Sequence, residues 1–203
     1  MMEPKVAVLS GFGINCETET MAVFEMAGAS ADRVHVNRLV SEEIRLSDYQ
    51  IMAIPGGFSF GDHLGSGRLM GNRLRFGLRE QVREFVSSGK PVIGICNGFQ
   101  VLVKMGLLPG DDEVSLTQTA SLALNDSGHY ENRLATLEFD PDSPCIWTHG
   151  LQRMRVPVRH GEGKFVTDDQ DLLDKWDESG QLVARYVLSL IHISEPTRRY
   201  AIS

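Results

Sequence analysis

The residue with the clearest capacity for covalent chemistry in this 203-residue chain is Cys96, in the pentapeptide Gly94-Ile95-Cys96-Asn97-Gly98. A short uncharged run, residues 91–95, ends at it, and apolar residues at helical spacing follow: Phe99, Leu102, Val103 and Leu107. A strand turning sharply into a helix holds the side chain at its apex out of the sheet. It also sets that side chain before a helix N-terminus, where the dipole favours thiolate over thiol. This is the cysteine form of the nucleophile elbow, and its flanking glycines are needed because a Cβ at either place would crowd the turn. The same five residues also suit a small packing residue at a strand end, since free cysteine is among the most buried residue types. Nucleophile and packing residue are both open on the pentapeptide alone.

A second stretch bears on the same chemistry. The loop IPGGFSFGDHLGSG, residues 54–67, follows a predicted strand. A loop so rich in glycine frees backbone N–H groups that can form half of an oxyanion hole, with the N–H of Asn97 as the other half. In open α/β sheets, ligands gather at the carboxyl ends of the strands, where both loops would lie. Read alone, Pro-Gly-Gly is only a common turn. Three cysteines, Cys16, Cys96 and Cys145, are odd in number and far apart, which fits neither a disulfide framework nor a metal-binding pair. Cys145 reads as packing, and Cys16 lies in the first loop, where nothing makes it a nucleophile.

Short apolar runs alternate with longer segments of helical period, the pattern of a parallel α/β sheet. KVAVLS (residues 5–10), DRVHVN (32–37), QIMAIP (50–55) and PVIGI (91–95) read as strands, the last of them buried. Helices are expected over residues 17–27, with Met21, Phe24 and Met26 among the apolar positions and Gly28 as the stop, and over residues 72–88. From Ser115 the pattern changes to shorter β-like pieces, SLAL, RLATLEF and MRVPVRH, expected to form a mixed or antiparallel extension of the same domain.

Composition sets outer limits. An apolar fraction of 42% and a charged fraction of 23% are those of a soluble globular protein with room for one α/β domain. A net charge of -7 offers no electrostatic footprint for nucleic acid or an anionic membrane. No apolar run approaches a bilayer-spanning length, and the N-terminus enters a strand pattern at once, so the chain reads as cytoplasmic.

Taken together, PGGFSFGDHLGSG, GICNGFQVLVKMGLLPG and GFGINCETET closely resemble the class I glutamine amidotransferase family, and NDSGHYENR and PVRHGEGKF extend the match. The branch they are most similar to comprises the glutaminase subunits of a purine-biosynthetic synthetase, and the resemblance runs from about residue 5 to 187. It implies a flavodoxin-like, three-layer open parallel sheet with a mixed β extension. It also implies that Cys96 attacks the carboxamide of glutamine to form a γ-glutamyl thioester and release ammonia. The Gly57 and Asn97 N–H groups would hold the oxyanion, and Phe58, Gln100 and His160 would help to bind glutamine or shape its site. No metal and no cofactor is implied for this chain, which has neither GxxxxGK[ST] nor a GxGxxG after a strand. ATP and Mg would serve a partner synthetase subunit, which makes formylglycinamidine ribonucleotide, with a small third subunit a further expected partner.

One departure from the family stands out. A cysteine of this kind needs an imidazole and a carboxylate to orient it, and the family supplies both from a His-Pro-Glu stretch that these residues do not contain. The His160-Gly161-Glu162 triplet matches a different family segment and is not taken as that pair. Residues 188–198 can be back-translated, codon for codon, to a transposase-type sequencing adapter. The expectation is therefore a glutaminase domain over 1–187, incomplete at its C-terminus, with 188–203 a non-native tail. On that expectation, the chain as it stands would present Cys96 without activating it well. Two other classes remain: a DJ-1/peptidase-like elbow-cysteine protein, and a non-catalytic partner subunit.

Overall fold

The structure, a computed structural model, describes residues 3–111, 113–187 and 200–201. It divides into two compact units, Met1–Gln118 and Thr119–Ser203.

The first unit runs β1 (Lys5–Ser10), α1 (Glu17–Met26), β2 (Ser30–His35), α2 (Val36–Val40), β3 (Ile51–Ile54), α3 (Arg68–Gly77), α4 (Arg79–Ser87), β4 (Val92–Gly94) and α5 (Asn97–Met105). The four strands pair in parallel in the order β2-β1-β3-β4. That is the flavodoxin-like order, and it reverses direction between β1 and β3, so the loops leaving those two strands flank a crevice at their carboxyl ends. Successive residues of β1 point to opposite faces. Ala7 and Leu9 join Met52 and Ile54 of β3 with Met70, Leu74, Val101, Leu102 and Met105 of α3 and α5 in one core. Val6, Val8 and Ala53 face Met21 and Phe24 of α1 in another. Helices thus cover both faces of the sheet, giving the expected three layers.

Local differences from the sequence pattern have identifiable causes. β2 ends at His35 rather than extending to residue 37, because the His35 Nδ1 accepts the Asn37 N–H at 3.1 Å and caps α2. The helix expected over 72–88 starts at Arg68 and bends at Leu78 (φ −129°), which divides it into α3 and α4. Gly77 lies where a Cβ would meet Val40 Cγ2 at 3.2 Å, and Leu78 turns into the core at 2% exposure. Hydrogen bonds continue through the bend, with the Leu78 N–H donating to Leu74 O and the Val82 N–H to Leu78 O. Met26 is exposed rather than on the packed face of α1. β4 is shorter than the expected 91–95 and half-buried rather than buried, because among the described residues it pairs only with β3 and so forms a sheet edge.

The second unit is antiparallel. β5 (Ser121–Leu124) pairs with β8 (Glu162–Val166). β6 (Glu131–Phe139), β7 (Arg153–His160), β9 (Ala184–Val187) and β10 (Tyr200–Ala201) form a second sheet in the order β10-β9-β6-β7. α6 (Gln170–Glu178) is capped by the Asp169 carboxylate, which accepts the N–H groups of Asp171 and Leu172. Trp176 of α6 meets Phe165 of β8 edge-on, ring centroids 6.0 Å apart. The three β-like pieces of the sequence all fall within these strands. Of the segment 188–203 expected to be a tail, Tyr200–Ala201 form β10, and the rest lies outside the described residues.

Candidate functional site

At the end of β4, Cys96 adopts φ 54°, ψ −112°, with α5 beginning at the next residue. A non-glycine residue in this region carries strain, about 1–3 kcal/mol, and persists only where its surroundings hold it. Here they do. A Cβ on Gly98 would lie 1.9 Å from Ile54 O, and one on Gly94 would lie 2.6 Å from Leu102 Cδ1 and 2.7 Å from Gly98 C. The end of β3, the end of β4 and the first turn of α5 are in backbone contact that only glycine permits. Cys96 itself is exposed, which answers whether it is a packing residue.

The loop after β3 passes directly in front of the elbow, so that a Cβ built on Gly56 would lie 3.5 Å from Cys96 Cβ and 3.5 Å from Cys16 Sγ. This loop is held on both edges. Towards the first loop, the Phe58 N–H donates to Gly13 O (2.9 Å) and the Phe60 N–H to Phe12 O, while the N–H groups of Asn15 and Cys16 both donate to Gly56 O (3.2 Å). Phe12 and Phe60 stack at 4.6 Å. Towards the elbow, the Ser59 N–H donates to Asn97 Oδ1 (3.0 Å). The Ile14–Gly57 bridge is flanked by the Phe58-to-Gly13 and Asn15-to-Gly56 bonds, which makes it a non-hydrogen-bonded antiparallel pair. In such a pair each residue's own N–H points away from its partner. The Gly57 N–H therefore faces the elbow side, as that of Ser59 does. Gly57 has φ 151°, and a Cβ there would meet Gly13 O at 2.6 Å.

Asn97 opens α5, where a backbone N–H has no acceptor within its helix. Its side chain, at 1% exposure, donates from Nδ2 to Asp62 Oδ1 (3.1 Å) and to Gln100 Oε1 (2.9 Å). Gln100 is itself 8% exposed. Phe58, by contrast, is exposed beside the loop. Gly57, Phe58, Cys96, Asn97 and Gln100 thus gather at one sheet edge of the first unit. His160 ends β7 in the second unit, where its Nδ1 is 3.0 Å from Asn125 Oδ1 and its carbonyl accepts from Asn125 Nδ2. The Cys16 thiol is pushed up by burial first, then by Glu19, by Cys96 and by Glu17, which disfavours the thiolate. Among the described residues no three His, Cys, Asp or Glu side chains come together to hold a metal ion, and no helix is long and apolar enough to cross a membrane.

Sequence spacing did not reveal the hydrogen bonds that the Asn97 side chain accepts from the Ser59 N–H and donates to Asp62. The only signal was a carboxamide next to the cysteine and a carboxylate within a glycine-rich loop, 35 residues apart.

Comparison with known proteins places this geometry. A family model described as a CobB/CobQ-like glutamine amidotransferase domain matches residues 3–202. The phosphoribosylformylglycinamidine synthase subunit PurQ of Treponema denticola is 44% identical over 195 residues, covering 91% of this chain and 72% of its own length. PurQ of Methanococcus maripaludis (strain C7) is 42% identical over 185 residues, covering 90% of this chain and 66% of its own. The chain spans about two thirds of the length of such curated relatives. Among solved structures, PurLQS from Thermotoga maritima superposes with a TM-score of 0.70 at 28% identity, covering 93% of this chain and 76% of that one. A glutamine amidotransferase from the same organism, 18% identical with a TM-score of 0.51 over 82% of this chain and 64% of that one, shares the fold alone. The elbow, the glycine loop and these matches together make the chain a member of the CobB/CobQ-like glutamine amidotransferase family.

Proposed function

We propose that this chain is the glutaminase part of a phosphoribosylformylglycinamidine synthase. The observation that carries the reading is Cys96, exposed and held at φ 54° on the elbow beside the Gly56–Gly57 turn. The thiolate attacks the side-chain carbonyl carbon of glutamine, and the N–H groups of Gly57 and Asn97 donate to the oxygen on which charge develops. The carbon–nitrogen bond breaks, ammonia leaves with a proton, and a γ-glutamyl thioester remains on Cys96. Water attacks the thioester, releasing glutamate and the thiol. Phe58 and Gln100 shape the glutamine site on this reading. His160 is not taken as the proton acceptor for Cys96, and the family's His-Pro-Glu motif does not occur in residues 1–203.

The ammonia passes to a synthetase subunit that uses ATP and Mg to convert a formylglycinamide ribonucleotide into its amidine. This chain needs no cofactor of its own. A relative solved as PurLQS supports a synthetase and a small third subunit as partners, and we place the complex in the cytoplasm. Residues 1–187 are assigned to the glutaminase domain and 188–203 to a non-native tail. The test is ammonia release from glutamine by the full-length protein with its synthetase. Cys96→Ala is expected to abolish glutamine-dependent turnover while complex formation, and turnover with added ammonium chloride, persist. Glutamine-dependent turnover unchanged in Cys96→Ala would favour a non-catalytic docking role instead.

A further inference from the structure

The loop that presents Gly57 has an unusual backbone. Phe60 (φ 54°), Gly61 (φ 64°) and Asp62 (φ 54°) are consecutive left-handed residues, and Leu64 (φ 64°) follows shortly after. Non-glycine residues adopt this region only under outside constraint. Turn hydrogen bonds run within the loop, from the Gly61 N–H to Phe58 O (2.8 Å) and from the Gly65 N–H to Asp62 O (3.1 Å), and ties to neighbouring elements set where the loop sits. On the elbow side, a buried carboxamide supplies a tie. Asn97 Oδ1 accepts the Ser59 N–H, two residues beyond Gly57, and Asn97 Nδ2 donates to the Asp62 carboxylate and to Gln100 Oε1. The carboxamide thus fastens both ends of the Ser59–Asp62 turn to the first turn of α5, the turn whose own N–H belongs to Asn97.

We propose that the Asn97 side chain is a positioning residue that sets the distance between the two oxyanion donors, Gly57 N–H and Asn97 N–H, with Asp62 as its outer anchor. The inference rests on the glutaminase reading and deepens it. One residue would then carry both functions, its backbone contacting the oxyanion and its side chain holding the opposite donor in place. Alkylation of the exposed Cys96 thiol passes through no tetrahedral oxyanion, so thiol reactivity and oxyanion stabilisation become separable.

The test uses the full-length protein with its synthetase and reads two reactions of Cys96: glutamine hydrolysis and alkylation by iodoacetamide. Asn97→Leu, which keeps the branching at Cγ but cannot hydrogen-bond, is expected to lower kcat for glutamine by roughly ten- to a hundredfold, with KM little changed, as for partial loss of an oxyanion donor. Alkylation of Cys96 in the same variant is expected to stay within about twofold of wild type, since it needs the thiolate but no oxyanion hole. Asp62→Ala is expected to lower kcat about tenfold, and Asp62→Asn, which keeps an acceptor for Asn97 Nδ2, to recover most of that loss. An Asn97→Leu variant with wild-type kcat overturns the positioning role while leaving the glutaminase reading intact. So does a variant in which alkylation and hydrolysis fall together, since that marks a merely structural residue. A wild-type complex that releases no ammonia from glutamine overturns the glutaminase reading itself.

Discussion

Cys16 and Cys96 both approach Gly56, one by its sulfur and the other by its Cβ, yet their surroundings treat the two thiols differently. Cys16 is half-buried beside Glu17 and Glu19, and burial together with these carboxylates and Cys96 pushes its thiol up. Cys96 is exposed at the elbow. The thiolate is the reactive form, so a thiol pushed up is less reactive at neutral pH. Iodoacetamide at neutral pH is expected to modify the exposed Cys96 faster than the half-buried Cys16, as read by peptide mass spectrometry against time. Equal rates at the two sites would show that the elbow gives Cys96 no advantage. The elbow was legible because its requirements are local: two glycines, a cysteine between them, a β-branched run before and a helical period after. The Asn97 clamp was not, because its partners Ser59 and Asp62 lie on another loop whose left-handed path no propensity rule encodes.

At the scale of elements, the alternation of apolar runs with helical segments identified β1, β3 and α1 closely, since the two strands are continuous apolar runs and Gly28 (φ 87°) stops the helix. Boundaries moved where one side chain decided them: His35 capping α2, and Leu78 turning into the core behind Gly77. Another long-range tie fixes the approach to β3. The Tyr49 hydroxyl, just before that strand, donates to Asp32 Oδ2 of β2 at 3.1 Å. Burial, and then the Asp32 charge and hydrogen bond, push the phenol up to about 12. A group whose pKa is raised by folding stabilises fully while it is protonated in both states, below the ordinary tyrosine value of about 10. That stabilisation is lost as pH climbs through the window to about 12. Tyr49→Phe is expected to cost about 1 kcal/mol near pH 8, with the gap to wild type closing between roughly pH 10 and 12. Urea denaturation of both proteins across that range checks this, and parallel stability curves would exclude the Tyr49–Asp32 bond as the cause.

Across the whole molecule, the change of pattern at Ser115 was legible and falls close to the division of the chain after Gln118. The strand order was not, since nothing in a single strand says which neighbour it takes. The two units differ in how they bury their strands. Val6, Ala7, Val8 and Leu9 of β1 are all 0% exposed, with strands on both sides and side chains packed on both faces. In the second unit, β6 and β7 leave Leu134 at 53% and Met154 at 41% exposure. Most of the buried apolar side chains lie in the first unit, and local opening free energy follows such burial. Hydrogen exchange is therefore expected to be slowest in peptides spanning Val6–Leu9 and Met52–Ile54, where amides open only when the sheet itself unfolds. Peptides from β6 and β7 should exchange at least about tenfold faster and lose less protection on addition of urea, because their openings expose less surface. Exchange at one common rate in both sets would instead mean that the antiparallel strands open only together with the parallel sheet, so that the 118/119 division is geometric and the chain is a single cooperative unit.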